Sequence, residues 1–272
     1  MEVLFEAPHL PARRLPAELR RVYGGDLGFD EPALYANFVS SLDGVVALDS
    51  PEPAGPIISG GSEADRFTMG LLRAFADAVL VGGGTLRAER EHLWTPEHIY
   101  PPASAQYALL RRELGRRAGP QTVVLTAGGD LDIRAAALEA GALIVSTDVG
   151  RSALEDKLPS ASRVVTLGDR EGLKPAAVLD LLRSVGFRLI LAEGGPHLIG
   201  SLAAMDLIDE LFLTISPVLA GRDASHRRMG LVEGALLLPS RGRWGSLVSV
   251  RRADSPLFVR WVLRDAAGEY KD

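Results

Sequence analysis

Short, continuous apolar runs alternate along the chain with segments whose apolar residues recur every three to four positions. The runs are typical of strands buried on both faces of a parallel sheet, and the recurring positions are typical of amphipathic helices. Strands are predicted at residues 33–41, 77–82, 122–127, 142–147, 163–168, 187–192 and 208–216. Helices are predicted at residues 62–76, 134–140, 151–157 and 175–185. This order predicts an α/β fold whose mostly parallel central sheet is covered by helices on both faces.

Four further stretches complete the predicted organisation of the chain. Residues 244–253 and 257–264 predict an antiparallel C-terminal hairpin at the edge of the sheet. Residues 91–120 contain several prolines and predict a long excursion over the surface. Residues 1–30 lack the apolar core of a signal peptide and are expected to form a peripheral N-terminal arm. We expect residues 31–272 to form a single domain, because they contain no repeat, low-complexity segment or interdomain linker.

Composition narrows the class of protein. The chain has 272 residues, 47% of them hydrophobic, and its formal net charge of −5 gives no electrostatic basis for binding nucleic acid. It has no cysteine, which excludes disulfides, thiolate catalysis and cysteine-bound zinc. Its five histidines have no metal-binding spacing, and no apolar run approaches the roughly 18 residues of a membrane-spanning helix. We therefore expect a cytoplasmic protein that binds neither metal, membrane nor nucleic acid.

Three stretches combine glycine and polar residues just after predicted strands, where open α/β sheets bind ligands. In the first, NFVSSLDGVVAL (37–48), Ser40, Ser41 and Asp43 interrupt an apolar run, and Gly44 indicates a turn. This pattern fits an ordinary Asp-Gly turn as well as it fits a ligand site.

The second stretch, VLVGGGTLRAE (79–89), places three glycines and Thr85 at the start of a predicted helix. Free backbone N–H groups and a hydroxyl at a helix start can hold a phosphate. The stretch is neither the Rossmann fingerprint, which requires a third spaced glycine, nor a P-loop, which requires Gly-Lys-Ser/Thr. A tight packing turn is the alternative interpretation.

The third stretch, LILAEGGPHLIGSL (189–202), joins an apolar strand to an apolar helix through Glu193, Gly194 and Gly195. Pro196 suits the first turn of a helix, where its missing N–H is not needed. Two junctions of the phosphate-binding type in one domain favour a pyrophosphate between them, as in a dinucleotide. Glu193 is then the unexpected residue, because a carboxylate should avoid a phosphate site.

In order and spacing these stretches resemble the reductase domain of bacterial riboflavin biosynthesis, the RibD C-terminal domain family, which has a dihydrofolate-reductase-like fold. The matching segments are residues 41–44, 71–89 and 193–221. Stand-alone pyrimidine reductase family proteins of the actinobacterial type are the most similar members. The resemblance implies a three-layer αβα reductase domain, a homodimer and NADPH as the hydride donor. The apolar strand at 211–215 and the C-terminal hairpin are candidates for the dimer surface.

The resemblance also assigns residues to the cofactor. Gly84 and Thr85 would contact it with Glu89 nearby, and Val39 would flank the nicotinamide. The full set comprises Val39, Gly83, Gly84, Thr85, Glu89, Thr126, Gly194, Gly195, Pro196, His197, Leu198, Ile199, Gly200 and Ser201, where Thr126 falls at the adenosine half and 195–201 at the pyrophosphate. We add Arg87 as a candidate for the 2′-phosphate, because a guanidinium forks well onto phosphate.

Two residues are implied on the substrate side. Arg73 matches the arginine that binds the substrate's phosphate, and Glu193 matches a glutamate that faces the substrate while the following glycines face the cofactor. The implied reaction is hydride transfer to C1′ of a ribosylamine in its open imine form. Glu193 can accept hydrogen bonds from an aminopyrimidine edge or stabilise the cationic imine. Asp43 is the second catalytic candidate.

The chain also departs from the family pattern. Asn37 occupies the substrate-facing position where the reductase usually has a lysine, and a family tryptophan has no match around residues 57–59. The cysteine ligands of the zinc deaminase found in full-length riboflavin enzymes are missing. Three interpretations therefore stay open: a reductase of a 5-amino-6-(5-phosphoribosylamino)uracil-type pyrimidine, a reductase of a dihydropterin or related C=N substrate, and a non-catalytic NADPH-binding protein.

Overall fold

A ten-stranded sheet forms the centre of the protein, which a computed structural model describes over residues 1–50, 52–168 and 172–263. The described strands are β1 (Glu2–Glu6), β2 (Ala33–Ser40), β3 (Ala47–Leu48), β4 (Ala78–Gly82), β5 (Gln121–Thr126), β6 (Leu143–Ser146), β7 (Arg163–Thr166), β8 (Leu189–Ala192), β9 (Glu210–Ile215), β10 (Arg228–Met229), β11 (Ser246–Arg252) and β12 (Leu257–Val262). The order across the large sheet is β1-β11-β12-β9-β2-β8-β4-β5-β6-β7, and β3 pairs separately with β10.

The sheet divides into a parallel and an antiparallel part. The seven strands from β9 to β7 in this order are parallel to one another. β12, β11 and β1 extend the sheet on the β9 side as antiparallel strands. The predicted parallel sheet and C-terminal hairpin are therefore confirmed, although residue 264 of that hairpin and the end of the expected domain, 264–272, lie outside the described residues.

Helices cover both faces of the parallel part. The described α-helices are α1 (Ala17–Tyr23), α2 (Ala54–Ser59), α3 (Glu63–Phe75), α4 (Gly83–Ala88), α5 (Pro96–Ile99), α6 (Ser104–Glu113), α7 (Ala136–Ala140), α8 (Asp148–Leu154), α9 (Pro175–Ser184) and α10 (Pro196–Ala204). Phe67 and Leu71 of α3 belong to the hydrophobic core on one face. Leu179 of α9 and Leu202 of α10 belong to the core on the other. The predicted three-layer αβα arrangement is confirmed.

The prediction that residues 91–120 form a long excursion over the surface is wrong. Its prolines start helices instead of breaking them: Pro96 is the first residue of α5, where a missing N–H costs nothing. The segment also buries Trp94, Tyr107 and Leu110 in the core beneath α3. The proline-rich pattern therefore concealed a packed helical element.

The N-terminal segment is more integrated than the peripheral arm we expected. β1 pairs with β11 at the edge of the sheet, and α1 buries Leu19 and Tyr23 in the main core. Leu19 and Tyr23 are four residues apart in α1, so they share one helical face, and Leu15, just before the helix, is buried in the same core. Residues 1–30 thus contribute both a strand and core packing. None of the described helices is long and apolar enough to cross a membrane.

Candidate active site

The candidate site lies at the carboxyl edge of the parallel strands, where β2, β8 and β4 are neighbours. Ala36 of β2 and Leu80 of β4 both pair with Ala192, the last residue of β8. The next residues along β2 and β8 are Asn37 and Glu193. Because side chains alternate along a strand, these two residues project to the same face as the core beneath α3.

The two glycine-rich junctions are in direct contact. A Cβ atom on Gly194 would lie 3.1 Å from the backbone N of Gly82, and one on Gly195 would lie 3.6 Å from Oγ1 of Thr85. A Cβ on Gly194 would therefore intrude where the ends of β8 and β4 meet, and one on Gly195 would be in contact with Thr85. Since helices begin at Gly83 and Pro196, two sets of free backbone N–H groups converge on this place.

Glu193 is held on the other side of the junction by a buried ion pair. Arg73 Nε donates to Glu193 Oε2 at 2.8 Å, and the two side chains are only 1% and 5% exposed. Asn37 Nδ2 lies 3.5 Å from Glu193 Oε1. The guanidinium of Arg73 also donates to the carbonyls of Leu93 and Thr95, which belong to the segment that joins α4 to α5. A fixed carboxylate therefore lies directly beside the glycine junctions.

A second layer of titratable groups surrounds Arg73. Burial raises the pKa of Glu89, and the negative charge of Glu193 adds to this effect while Arg73 opposes it. Burial, with Arg73 and His98 nearby, lowers the pKa of His92 to about 3, so its ring is neutral at physiological pH. The Nε2 atom of His92 is buried and has no hydrogen-bond partner among the described residues.

Asp43, expected to be catalytic, connects two loops. Its carboxylate accepts hydrogen bonds from the backbone N–H groups of Ala220 and Gly221, both at 2.9 Å, and from the hydroxyl of Ser41 at 2.7 Å. The bond from Ala220, followed by that from Ser41, lowers the pKa of Asp43 to about 2. These contacts leave Asp43 ionised at any physiological pH, and they fit a residue that anchors the loop after β9.

Sequence reasoning overlooked Asp65, a buried carboxyl group at the start of α3. Asp65 is 5% exposed, and Thr214 of β9 provides a hydrogen bond to its side chain. Thr68, one turn further along α3, is equally buried. The available signal was a pair of polar residues three positions apart next to the apolar face of a predicted helix.

The expected cofactor residues fall into groups. Gly83, Gly84, Thr85, Gly194, Gly195 and Pro196 form the paired junctions, and Thr126 ends the adjacent strand β5. Arg87 lies over the first junction, with Nη1 3.6 Å from a Cβ built on Gly83, and it pairs with Asp130 at 3.1 Å.

The later residues of the second junction have other surroundings. Ile199 is 1% exposed in the core, so only its backbone could reach a ligand. A Cβ on Gly200 would lie 2.0 Å from the carbonyl oxygen of Glu233, which shows that this glycine permits close packing of a neighbouring loop. His197 and Ser201 are exposed, and Leu198 is half-buried.

Comparison with known proteins establishes the family. The family model of the RibD C-terminal domain matches residues 32–235, which include every element of the candidate site. The chain belongs to the RibD C-terminal domain family. It is therefore a reductase of the riboflavin-biosynthesis type, an oxidoreductase, and the α/β reductase fold expected from the sequence is confirmed.

Individual relatives agree with this assignment. The 2,5-diamino-6-ribosylamino-4(3H)-pyrimidinone 5′-phosphate reductase of Archaeoglobus fulgidus is 30% identical over 198 residues, which cover 71% of this chain and 84% of the relative. A pyrimidine reductase-like protein of Corynebacterium diphtheriae has the same fold, with a TM-score of 0.69, 22% identity, and coverage of 90% of this chain and 98% of that one. A riboflavin biosynthesis reductase of Saccharomyces cerevisiae aligns with a TM-score of 0.55 and 14% identity over 90% and 98% of the two chains.

Arg73 has other contacts than the sequence led us to expect. We expected Arg73 to bind the substrate's phosphate, but its Nε is occupied by Glu193 and its Nη1 contacts two carbonyls. Asn37, in place of the usual lysine, lies against the other oxygen of Glu193. The cation beside Glu193 is therefore supplied by α3 and not by β2.

Proposed function

We propose that this protein is an NADPH-dependent reductase that transfers a hydride to the ribosylamine carbon of a phosphoribosylaminopyrimidine. The observation that carries the proposal is the position of Glu193, a fixed carboxylate at the end of β8 directly beside the two joined glycine junctions. The Glu193 carboxylate suits a cationic or amino-bearing substrate, and the backbone N–H groups of the adjacent glycine junctions suit a dinucleotide phosphate. The relative from Archaeoglobus fulgidus is named as a reductase of a substrate of this class.

The cofactor proposal depends on the fit of the glycine junctions. A Cβ on Gly195 would occupy the space beside Thr85, and the free N–H groups at the start of α10 face the same region. These groups suit the pyrophosphate, Val39 at the end of β2 suits the nicotinamide, and Arg87 suits the 2′-phosphate. NADPH bound there would supply the hydride.

The protein's own contribution to the reaction is electrostatic. Reduction of the open imine passes through a species with positive charge on nitrogen, and a carboxylate fixed in a site with little water stabilises such a charge. Arg73 holds the Glu193 carboxylate in place at 2.8 Å, so the site needs no reorganisation when the charge develops. We assign Glu193 to this stabilisation and Arg73 to positioning Glu193.

A fluorescence titration with NADPH and NADH tests the cofactor proposal. Trp94, Trp244 and Trp261 serve as energy donors. We expect tight NADPH binding, weaker NADH binding, and loss of both in Gly195→Val, whose side chain would fill the space beside Thr85. Gly55→Val is the matched control, because a Cβ on Gly55 meets nothing within 4 Å. If Gly195→Val bound NADPH as tightly as the unsubstituted protein, the glycine junctions would not be part of the cofactor site.

A steady-state assay of NADPH oxidation then tests the substrate. We expect turnover with the phosphoribosylaminopyrimidine and none with dihydropterin or dihydrofolate. Oxidation with the pterin substrate alone would assign the protein to the alternative C=N reductase. Tight NADPH binding without turnover on either substrate, unchanged in Glu193→Gln, would identify a non-catalytic NADPH-binding protein.

We also propose that the protein is a homodimer that uses the antiparallel part of the sheet. One face of β9 and β12 is entirely apolar, and most of it is only half-buried. The residues that share this face by their register are Leu211, Leu213, Ile215, Leu257, Val259 and Trp261. A second copy of the chain would cover this face.

A further inference from the structure

Asp65 is a buried carboxyl group with no cationic partner. It lies in the first turn of α3 and is 5% exposed. Within the described part of the chain, no arginine, lysine or histidine pairs with it; Arg66, its neighbour, is paired instead with Glu63 at 3.9 Å. Because an unpaired carboxylate is costly to bury, this placement requires an explanation.

Helix capping does not provide that explanation. In a capping box, the side chain of the third helical residue accepts a hydrogen bond from the N–H of the capping residue. Here the N–H of the cap, Ser62, donates to the carbonyl of Ser59 at 3.3 Å. The hydroxyl of Ser62 accepts from the N–H of Asp65 at 3.3 Å, so the cap is complete without the Asp65 carboxyl.

The carboxyl instead faces the sheet beside the candidate active site. Its partner Thr214 pairs in register with Val39, the residue expected to flank the nicotinamide. Asn37, which contacts Glu193, lies two residues earlier on the same face of β2. Asn37 and Thr214 also line a small cavity to which α3 contributes Thr68, one turn after Asp65. Asp65 therefore belongs to the polar end of an otherwise apolar face.

Burial raises the pKa of Asp65 to about 6. Three groups modify this effect: Thr214 from β9 and Arg66 from the same helix oppose it, and Glu193 from the end of β8 adds to it. A carboxyl group with such a value exchanges protons near neutral pH. Two other carboxylates near the site are less suited to this task, because Glu193 is paired with Arg73 and the pKa of Asp43 is lowered to about 2. Burial also raises the pKa of Glu89, but Glu89 lies at the end of α4 and not on the face that Asn37 and Val39 share.

We propose, on the basis of the reductase function above, that Asp65 is the proton-holding residue of the site. The O–H bond of the Asp65 carboxylic acid breaks, and its proton passes to the imine nitrogen, directly or through one water. The cationic imine, stabilised by Glu193, then accepts the nicotinamide hydride at C1′, and the electron pair of the C=N double bond moves to nitrogen. The product is a secondary amine, and the Asp65 carboxylate regains a proton from solvent.

The first test measures proton holding without any substrate. Carboxyl ¹³C NMR of the intact protein, with Asp65→Asn to identify the signal, should show Asp65 titrating near pH 6. Titration near pH 4, the value of an ordinary aspartate, would overturn the proposal.

The second test compares pH profiles of NADPH oxidation with the phosphoribosylaminopyrimidine. We expect kcat of the unsubstituted protein to fall as the pH rises through the Asp65 titration. In Asp65→Asn, kcat should drop by about 100-fold or more, the pH limb should vanish, and the Kd for NADPH should stay within twofold. Glu63→Gln is the matched control, since it removes a carboxylate two residues away that is 79% exposed. It should leave kcat, its pH dependence and the Kd for NADPH unchanged.

The outcomes separate this proposal from the function on which it rests. Normal turnover by Asp65→Asn with an unchanged pH profile would overturn the role of Asp65 and leave the reductase function intact. Absence of turnover by the unsubstituted protein at every pH would overturn the substrate assignment, and the role of Asp65 in that reaction with it. A lower kcat without any change in the pH limb would show that Asp65 is only structural.

Discussion

At the residue scale, the candidate site depends on the ion pair between Arg73 and Glu193, which has almost no access to water. Removing two charges from water is expensive, and only close, well-directed contacts offset this cost. Arg73 meets the requirement with one bond to Glu193 and two to backbone carbonyls. The position of the proposed functional carboxylate is therefore coupled to the stability of the fold.

Replacing Glu193 with alanine should reveal this coupling. The substitution leaves the guanidinium of Arg73 buried and without its anion, so we expect the free energy of unfolding to fall by about 3–5 kcal/mol in urea denaturation. Glu155→Ala is the control, because it breaks an exposed pair with Arg151 and should cost less than about 1 kcal/mol. Equal losses of unfolding free energy in the two variants would show that the buried pair contributes no more to stability than an exposed one.

Whereas removal of the Glu193 carboxylate should lower the free energy of unfolding, removal of the Asp65 carboxylate should raise it at neutral pH. A carboxyl whose pKa is raised to about 6 in the folded protein binds its proton more tightly there than in the unfolded chain. Folding is therefore penalised above that pH, and the penalty disappears as the pH falls below about 4.

Asp65→Asn should then be more stable than the unsubstituted protein at pH 7.5, by up to about 3 kcal/mol, and equally stable at pH 4. Urea denaturation at the two pH values measures the difference. A variant that is less stable at pH 7.5 would indicate that the ionised carboxylate contributes a favourable contact.

The sequence allowed some of these residues to be predicted and not others. Glu193 was identifiable because a carboxylate between an apolar strand and two glycines has no packing role. Asp65 was not, because an acidic residue in the first turn of a helix is ordinary and its burial depends on β9, which is more than 140 residues away. Partners that are distant along the chain leave no local pattern.

At the scale of elements, α10 is fixed by a close contact with the loop that follows β10. A Cβ on Gly200 would lie 2.0 Å from the carbonyl oxygen of Glu233, and backbone atoms cannot move aside cheaply. This contact explains a glycine in the middle of a helix, where it is otherwise unfavourable.

Gly200→Ala should therefore lower the Tm, because the loop must move away from α10. Gly55→Ala in α2 provides the comparison: a Cβ there meets nothing within 4 Å, and alanine is the better helix former, so the Tm should rise slightly. Thermal unfolding followed by circular dichroism measures both. A stabilised Gly200→Ala variant would contradict the close contact.

Most elements were predictable because their signals are local. α3 was predicted at 62–76 and lies at 63–75, with Ser62 as its cap. The helix predicted at 151–157 begins earlier, at residue 148, because the Thr147 hydroxyl accepts from the N–H of Gly150 and caps it. α6 was missed, since its packing partner α3 is distant in sequence and prolines precede it.

At the scale of the whole molecule, the apolar face of β9 and β12 is the proposed contact between two copies. Leu213→Asp places a charge in the middle of this face, so we expect it to convert a dimer into a folded monomer in sedimentation velocity. Val149→Asp on α8 is the control, because Val149 is already 56% exposed, and it should leave the dimer intact. A monomeric unsubstituted protein would refute the proposed dimer.

The pairing of β1 with β11 has a consequence for how the chain is made. Glu2 lies beside Arg252, so the first of the described strands reaches its place only after nearly all the described chain has left the ribosome. Until then, Val3, Leu4 and Phe5 lack their neighbouring strand. During synthesis we expect this short apolar segment to stay accessible, so protease cleavage near residue 8 should mark how late the sheet closes.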